Sequence, residues 1–301
     1  TLKGNVATDW THQDIQLKEH AETSPSFGSY GGYYRINKND YKTLYGDVLL
    51  NIDKKLNEDF AVQANVGYSI RKETALNSAV STSGGLTDLN HFHLNYSAGT
   101  KSASESETSL LKQAVFATAS VSYQNWAYLE GTIRNEKTST LNGQSFWYPS
   151  VNGSVILSDI INMPKWVDYA KARVSYGVVG LAPELYKAAM AYSQGTASGY
   201  IYQQLGSSIG NDSIKPETTH EWEFGLEGKA FNNRLGFEVS YYHKKIVDQI
   251  LEATLPRSAG GSSMLANVGE LTNKGFELAV YGTPLETSDW RLDLSGNLAW
   301  N

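Results

Sequence analysis

The histidines are the first residues in this sequence that could do chemistry. They are His12, His20, His91, His93, His220 and His243. His91 and His93 are two residues apart, so on a strand they would share one face, as two ligands of one metal ion would. We favour a solvated loop over a metal site for this pair.

Carboxylates and nucleophiles are the other candidates for catalysis. Glu221 and Glu223 would share a strand face, where two carboxylates could act as general acid and base. Carboxylates that line the inside of a barrel have this spacing as well, and we favour that interpretation. The sequence has no Gly-x-Ser-x-Gly motif and no cysteine. We therefore expect no catalytic, cofactor-binding or metal-binding residues and no enzymatic activity.

Three tyrosines lie in a stretch that is rich in amide side chains. Tyr192, Tyr200 and Tyr202 are accompanied by Gln194, Gln203 and Gln204. Flat aromatic rings can stack on sugars, and neighbouring amides can hydrogen-bond the hydroxyl groups. The same rings could instead pack one loop against another, so both interpretations stay open for this stretch.

Composition excludes several classes of protein. The 301 residues carry 25 Lys and Arg against 31 Asp and Glu, a net charge of -6. This balance argues against nucleic acid as a partner, because phosphate binding requires a basic surface. No run approaches the ~18 apolar residues of a transmembrane helix. A transmembrane β-barrel stays possible, because its strands place lipid-facing residues only at alternate positions.

Apolar and polar residues alternate along many segments, which is the period of a β-strand. In 221–229, for example, Trp222, Phe224 and Leu226 fall on one face and the charged residues on the other. A charge that faces lipid at the bilayer centre costs about 2–4 kcal/mol, which would keep the charges on one face. These runs have about 10–13 residues, enough to cross a bilayer when tilted, whereas typical strands have about 5–6.

We predict about ten strands of one large antiparallel sheet. They cover 43–52, 60–71, 112–123, 127–137, 147–157, 170–178, 218–230, 235–251, 269–282 and 289–301. The short connections are 53–59, 124–126, 231–234 and 283–288, and the long ones are 72–111, 179–217 and 252–268. This alternation of short and long connections is typical of outer-membrane barrels. The connection 158–169 is of medium length, and 138–146 is shorter than this alternation predicts. Residues 1–42 are not assigned to strands or loops, and 28–35 is either a loop or a strand.

Both ends of the sequence look like cuts. Residues 1–20 lack the apolar core of a signal peptide, the first residue is not Met, and the last strand pattern stops at Asn301. Because lipid offers no partner for an open strand edge, a membrane barrel must close. We therefore treat residues 1–301 as one partial barrel domain, expect further strands in a parent protein, and expect the fragment not to fold alone.

A series of motifs resembles one family of barrels. Lys171 to Gly180 is similar to the family pattern K-x-R-x-S-Y-G-x-x-G, although Leu181 stands where Asn usually follows. Asn267 to Glu277 is similar to N-x-G followed by N-K-G-x-E. Further matches are Tyr148–Gly153, Lys215–Gly225, Arg234–Tyr242, Trp290, Asn297 and, more weakly, Arg134–Ser139. In this order, over more than half of the chain, they resemble the SusC/RagA-like branch of the TonB-dependent transporters.

The resemblance implies a fold, a location and a mechanism. The fold is all-β, part of a large antiparallel transmembrane β-barrel without its plug domain, surrounded by the outer-membrane lipid of a Gram-negative bacterium. A SusD-like lipoprotein would capture a large nutrient, an oligosaccharide or a peptide. TonB, through a region absent from this chain, would pull on the plug and open the path. No cofactor is implied.

The resemblance also implies roles for particular residues. Charged residues of the polar faces would line the lumen and contact the plug, or else meet only lumen water. They are Lys171, Arg173, Glu221, Glu223, Glu227 and Glu277. Tyr192, Tyr200 and Tyr202 would contact the substrate or the lipoprotein. Gly177, Gly225 and Gly275 are expected at bulges or close backbone approaches.

Two alternatives come from other functional classes. An outer-membrane barrel enzyme would need a Ser/His/Asp or paired-carboxylate site near the rim, and the sequence shows none. A soluble carbohydrate-binding β-sandwich would have shorter strands and polar outer faces. The apolar rows of 222–226 and 290–294 argue against it, because such a belt would aggregate in water.

Overall fold

The chain folds almost entirely into β-strands. The computed structural model describes residues 1–24, 26 and 28–301. Fourteen strands occur among these residues: β1 (Leu2–Glu19), β2 (Tyr33–Lys55), β3 (Phe60–Ser81), β4 (Ser102–Tyr123), β5 (Ala127–Thr138), β6 (Ser145–Ile156), β7 (Val167–Leu181), β8 (Tyr192–Ala197), β9 (Tyr200–Leu205), β10 (Ser208–Ile209), β11 (Glu217–Ala230), β12 (Leu235–Thr254), β13 (Ser263–Glu286) and β14 (Arg291–Trp300). Short 3-10 turns lie at Leu94–Tyr96, Ser139–Leu141, Leu157–Asp159 and Arg257–Ala259. Within the described ranges, none of these helical turns has the length and apolar character needed to cross a bilayer.

One sheet contains twelve of the strands in the described part of the chain. Its order is β1-β2-β3-β4-β5-β6-β7-β11-β12-β13-β10, with β14 also paired to β13. From β5 to β7, and on through β11 to β14, successive neighbours are antiparallel. The short strand β10 pairs with β13 in parallel, and β8 and β9 form a separate hairpin. The predicted all-β, antiparallel architecture is confirmed.

Burial along β11 shows that the two faces of the sheet differ in polarity. Trp222, Phe224 and Leu226 are exposed by 46%, 50% and 50%. The intervening Glu221 and Glu223 are half-buried. A one-sided sheet in water has the opposite arrangement, with its apolar face packed inward and its polar face exposed. An outward apolar row is stable where the surrounding solvent is lipid.

The chain divides into two compact units, and unit 1 contains residues 1–4, 48–69 and 113–301. Within it, connections at the two ends of the strands differ in length. At one end lie 124–126, 157–166, 231–234 and 287–290, and at the other lie 139–144, 182–216 and 255–262. This alternation of short and long connections agrees with the prediction. The connection 157–166 is the one predicted to be of medium length, and 139–144 is the one predicted to be unusually short.

Unit 2 contains residues 5–47 and 70–112. Tyr34 and Leu86 are among its buried residues. The Tyr34 amide donates a 2.9 Å hydrogen bond to the Thr82 hydroxyl oxygen. In its loops the Asn90 side chain accepts a 2.8 Å bond from the Ala21 amide and donates one of 3.0 Å to the Glu22 carboxylate. That bond lowers the pKa of Glu22 below its ordinary value, an effect that the bond's exposure to solvent keeps modest.

The strand prediction was wrong in two of its loops and left one region unassigned. The unassigned residues 1–42 contain the whole of β1 and the start of β2, and the predicted loop 72–111 contains the end of β3 and the start of β4. The predicted loop 179–217 contains the β8–β9 hairpin. Segments such as 102–107, with the sequence SASESE, are polar on both faces, so they lack the alternation on which the prediction depends.

Candidate functional site

The six charged residues predicted for the lumen lie on β7, β11 and β13, on one face of the sheet that these strands form with β12. Residues directly opposite each other in an antiparallel pair point to the same side. The rows across these strands are Lys171–Glu227–Glu238, Arg173–Gly225–Ser240–Glu277, Ser175–Glu223 and Gly177–Glu221. This surface is termed the polar face. Contact between the polar face and a plug domain stays a prediction.

Arg173 joins two other strands of the polar face. Its Nη1 donates a 2.7 Å hydrogen bond to Oε1 of Glu238 on β12, and its Nη2 donates one of 2.7 Å to Oε1 of Glu223 on β11. Charge-assisted bonds of this length are the strong members of their class. Glu238 was not among the predicted site residues, although the alternation of 235–242 places it on the polar face.

Gly225 makes the Arg173 network possible. The arginine side chain lies across this glycine, and a Cβ atom added there would be 2.7 Å from its Cγ and 3.0 Å from its Cδ. A neighbouring side chain thus comes close to the backbone at Gly225, as predicted. The same is true at Gly275, where an added Cβ would be 2.6 Å from the Tyr242 hydroxyl oxygen. Gly177 has only ordinary contacts, and the register runs through it without a bulge, so the prediction was wrong there.

A recess of about 350 Å³ opens on the polar face beside this network. The small residues Ser150, Ser175 and Gly177 leave the space, and Glu130 and Glu221 stand at its edge. Among the described residues, neither of these two carboxylates forms an ion pair or a side-chain hydrogen bond. Two unpaired carboxylates around one recess attract a positive group, so the recess can receive the side chain of a lysine or an arginine.

The opposite face of the same strands is an apolar belt that ends in aromatic rings. At one edge Tyr176 and Trp222 are in contact, with ring centres 4.7 Å apart. At the other, Trp166 stacks on Phe231 at 5.7 Å. About nine residues separate Trp222 from Phe231, which is about 30 Å along the chain and about 23 Å across a bilayer at a 40° tilt. This height is close to the ~25 Å apolar band of outer-membrane barrels, which aromatic girdles flank.

The β8–β9 hairpin carries the three predicted loop tyrosines, but on two different faces. Tyr192, Tyr200 and Tyr202 are exposed by 63%, 80% and 44%. Tyr200 and Tyr202 share one face, and Tyr192 lies on the other with Ile201. The Tyr202 ring lies across Gly195, whose added Cβ would be 2.6 Å from the hydroxyl oxygen. One flat ligand can therefore stack on Tyr200 and Tyr202 together, but not on all three rings.

His91 and His93 lie in a loop, not on a shared strand face. The Nδ1 atom of His91 is 3.0 Å from a carboxylate oxygen of Asp88, a partner that the sequence reasoning missed. The His93 ring accepts a hydrogen bond from the Asn95 amide and caps the 3-10 turn Leu94–Tyr96. In the described residues no group of three or more His, Asp or Glu side chains is arranged to hold a metal ion.

Comparison with known proteins agrees with this architecture. Residues 2–301 match the family model described as "TonB dependent receptor-like, beta-barrel". A TonB-dependent receptor of Formosa agariphila is 34% identical over 163 residues, which are 50% of this chain and 16% of that receptor. The TonB-dependent receptor SusC of Bacteroides thetaiotaomicron is 27% identical over 140 residues, 44% of this chain and 14% of that protein.

Solved structures show the same fold. The RagAB peptide importer in its closed-closed state superposes with a TM-score of 0.85 at 22% identity, over 99% of this chain and 34% of that one. The siderophore receptor PirA of Pseudomonas aeruginosa gives a TM-score of 0.57 at 15% identity, over 98% and 50%. The resemblance to the SusC/RagA branch is thus confirmed, and the chain spans about a third or less of the RagAB and curated relatives. The chain belongs to the TonB-dependent receptor β-barrel family and forms part of the wall of an outer-membrane barrel.

Proposed function

We propose that these residues form part of the barrel wall of a transporter that imports a large nutrient across the outer membrane. The observation that carries the proposal is the division of β11 into an exposed apolar row and a half-buried row of carboxylates. Such a wall separates lipid from a polar passage, which is what an importer requires. No catalytic role is proposed for the chain.

In this proposal the polar face holds a plug domain that TonB displaces. Arg173 is already engaged by Glu223 and Glu238 within the wall. Glu130 and Glu221 are unpaired among the described residues, so they are available to a basic side chain of the plug. We therefore assign plug contact first to the recess between these two carboxylates, and only second to Lys171, Glu227 and Glu277.

The nutrient is an oligosaccharide or a peptide, and the loop chemistry favours an oligosaccharide. Residues 188–211, which include the hairpin, contain no Asp, Glu, Lys, Arg or His. A peptide carries charged termini and side chains that such a surface does not pair. Tyr200 and Tyr202 offer ring faces, and Gln204 on the same face offers an amide that can bond hydroxyl groups.

The other face of the hairpin fits a SusD-like lipoprotein. Tyr192 and Ile201 are exposed there, and aromatic and aliphatic side chains of this kind anchor protein interfaces. The similarity to SusC and to the RagAB importer supports such a partner. Tyr192 is therefore assigned to contact with the lipoprotein, and Tyr200 and Tyr202 are assigned to contact with the substrate.

A binding assay on the full-length transporter tests this assignment. The probes are a panel of fluorescently labelled neutral oligosaccharides and a labelled casein digest, and anisotropy is the readout. The Y200A/Y202A variant is expected to weaken oligosaccharide binding by at least tenfold, since each lost stacking contact costs on the order of 1 kcal/mol. Ile201→Ala, on the opposite face of the same hairpin, serves as the matched control and is expected to bind normally.

Three outcomes would contradict the proposal in different ways. Binding of the casein digest alone would reject the oligosaccharide while keeping the importer. Equal loss in Ile201→Ala and in the double variant would show that the hairpin acts through its fold and not through two rings. Absence of both insertion into vesicles and ligand binding in the full-length protein would reject the transporter itself.

A further inference from the structure

One face of the β8–β9 hairpin has large side chains on β9 and only small residues on β8. Residues directly opposite each other in a hairpin point to the same side, and every second residue along a strand shares a face. The opposite pairs on this face are Ser193–Gln204, Gly195–Tyr202 and Ala197–Tyr200. This face is termed the platform, and it contains the two tyrosines assigned above to the substrate.

Gly195 provides the space in which the Tyr202 ring lies. A Cβ atom added at Gly195 would be 2.5 Å from Cζ, 2.6 Å from the hydroxyl oxygen and 2.9 Å from Cε1 of this ring. These distances are well below a van der Waals contact, so the ring occupies the volume that any side chain at 195 would need. The backbone of β8 therefore covers one side of the ring, and the other side faces away from the hairpin.

The two tyrosines of the platform differ in how firmly they are held. Tyr202 is 44% exposed, whereas Tyr200 is 80% exposed. The residue opposite Tyr200 is Ala197, whose Cβ fills the space that is free at Gly195. An exposed side chain loses rotamer freedom when a ligand orders it, and a ring that already rests on the backbone loses less. Tyr202 is thus the better preorganised of the two rings.

Gln204 is the neighbour of Tyr202 on the platform. The two residues are two positions apart on β9, which is about 6.6 Å along the strand. The Ser193 hydroxyl donates a 3.5 Å hydrogen bond to the backbone carbonyl oxygen of Gln204. The Gln204 side-chain amide forms no hydrogen bond within the described part of the chain. It therefore offers one donor group and one acceptor to a molecule that lies on the Tyr202 ring.

We propose that Gly195 is a positioning residue for nutrient binding, and that the Tyr202 ring on this glycine is the main stacking site for a sugar unit. The outward side of the ring meets the C–H face of the sugar, and Gln204 bonds hydroxyl groups at the sugar's edge. Tyr200 adds a weaker second contact. This role rests on the proposed import of an oligosaccharide, and it adds which of the two rings dominates and why.

A double-mutant cycle on the full-length transporter tests the role of Gly195. The probes are fluorescently labelled cellohexaose, laminarihexaose and maltohexaose, and anisotropy gives the affinity for each. Gly195→Ala displaces the Tyr202 ring, Tyr202→Ala removes it, and the double variant combines the two changes. Gly206→Ala is the matched control, because it makes the same substitution at the end of the hairpin, where an added Cβ would come no closer than 3.4 Å to another residue.

The expected losses follow from stacking and from the order of the rings. A stacked ring contributes about two- to tenfold in affinity, so Tyr202→Ala should weaken binding of the tightest probe about tenfold. Tyr200→Ala should weaken it about threefold, because ordering the free ring offsets part of its contact. Gly195→Ala should cost about fivefold alone and nothing further in the double variant. Gly206→Ala and Tyr202→Phe, which keeps the ring, should bind normally.

Three results would overturn the role of Gly195 while the unaltered protein still binds a probe. The first is normal binding by Gly195→Ala. The second is a further loss in the double variant, since a loosened hairpin would also displace Tyr200 and Gln204. The third is a loss in Tyr200→Ala that equals or exceeds the loss in Tyr202→Ala, and this comparison decides the matter even if Gly195→Ala fails to fold.

Failure of the proposed function gives a different result. The unaltered protein would then bind none of the three oligosaccharides, and a labelled casein digest would show whether it takes a peptide instead. Heat-modifiable migration in gels identifies correctly folded barrels for each variant, so a lost affinity is not mistaken for a lost barrel.

Discussion

Substitution of Gly225 by alanine tests whether the polar face is held together by one arginine. The new Cβ would lie 2.7 Å from Cγ and 3.0 Å from Cδ of Arg173, which is closer than real Cβ contacts come. The arginine side chain is flexible, so it is expected to swing away and not to distort the strand. It would then lose its bonds to both Glu223 and Glu238.

The magnitude follows from how exposed this network is. The side chains of Arg173, Glu223 and Glu238 are 36%, 35% and 45% exposed. Ion pairs with this much solvent contribute about 0.2–1 kcal/mol each, so the loss of both costs at most about 2 kcal/mol. Alanine recovers about 0.5 kcal/mol of backbone entropy relative to glycine in a strand. We expect a net destabilisation of about 1 kcal/mol.

The assay is reversible urea unfolding of the full-length barrel in lipid vesicles, analysed as a double-mutant cycle. Arg173→Gln removes the same bonds without a clash, so it should lose a similar amount of stability. If alanine at 225 acts only through the arginine, the double variant should be no less stable than Arg173→Gln. Gly131→Ala is the control, because its Cβ has space, and it should be neutral or slightly stabilising.

Strict additivity of the two changes would refute this reasoning, because it would show that the glycine and the arginine act independently. Wild-type stability in both single variants would show in addition that the two ion pairs contribute nothing in solvent. A large loss in Gly225→Ala that persists in the double variant would indicate backbone strain at β11 as the cause.

Two further outcomes are expected. Phe224→Asp should reduce the stability of the membrane-inserted barrel by about 2–4 kcal/mol. Ser154→Asp is the control, because Ser154 lies on the polar face opposite Arg173, and this variant should insert normally. Equal behaviour of the two variants in vesicle-folding assays would contradict the assignment of faces. The hydrogen bond from Asn90 favours the ionised carboxylate of Glu22, which is why the pKa of Glu22 is lowered. The stability that this bond adds to the folded state is therefore complete above the ordinary glutamate pKa. It is lost as the pH falls through the lower pKa of the folded state. The protection factor of the Ala21 amide against hydrogen exchange, which corrects for the slower intrinsic exchange in acid, should therefore fall as the pH is lowered. Asn90→Ala should raise the pKa of Glu22 in a carboxyl NMR titration, and an unchanged pKa would exclude the bond.

Local patterns in the sequence were sufficient for the class of fold, although not for β1 or the β8–β9 hairpin. Alternation in 221–229 identified which side faces lipid, because every second side chain of a strand points the same way whatever its neighbours are. The turn at Asn232 and Asn233 was also readable, since both residues adopt positive φ values of 59° and 61°, a conformation that asparagine tolerates better than most residues. The family motifs added the identity of the barrel.

The candidate site required more than local patterns. The sequence placed Arg173 and Glu221 on the polar face, but it did not show which residues of other strands lie next to them. Glu238 lies 65 positions from Arg173, and Glu130 joins Glu221 in the recess only because β5, β6, β7 and β11 are neighbours in the sheet. The separation of Tyr192 from Tyr200 and Tyr202 likewise depends on the register of one hairpin.

The sequence by itself determined the class of fold, the lipid-facing and polar faces, and the family of this chain, because each of these follows from the period of single strands and from short motifs. Only the tertiary structure decided that Arg173 binds two strands at once and that Glu130 and Glu221 share one recess. The physical reason is that contacts between strands depend on register, and a shift of a single residue would move every one of these side chains to the other face.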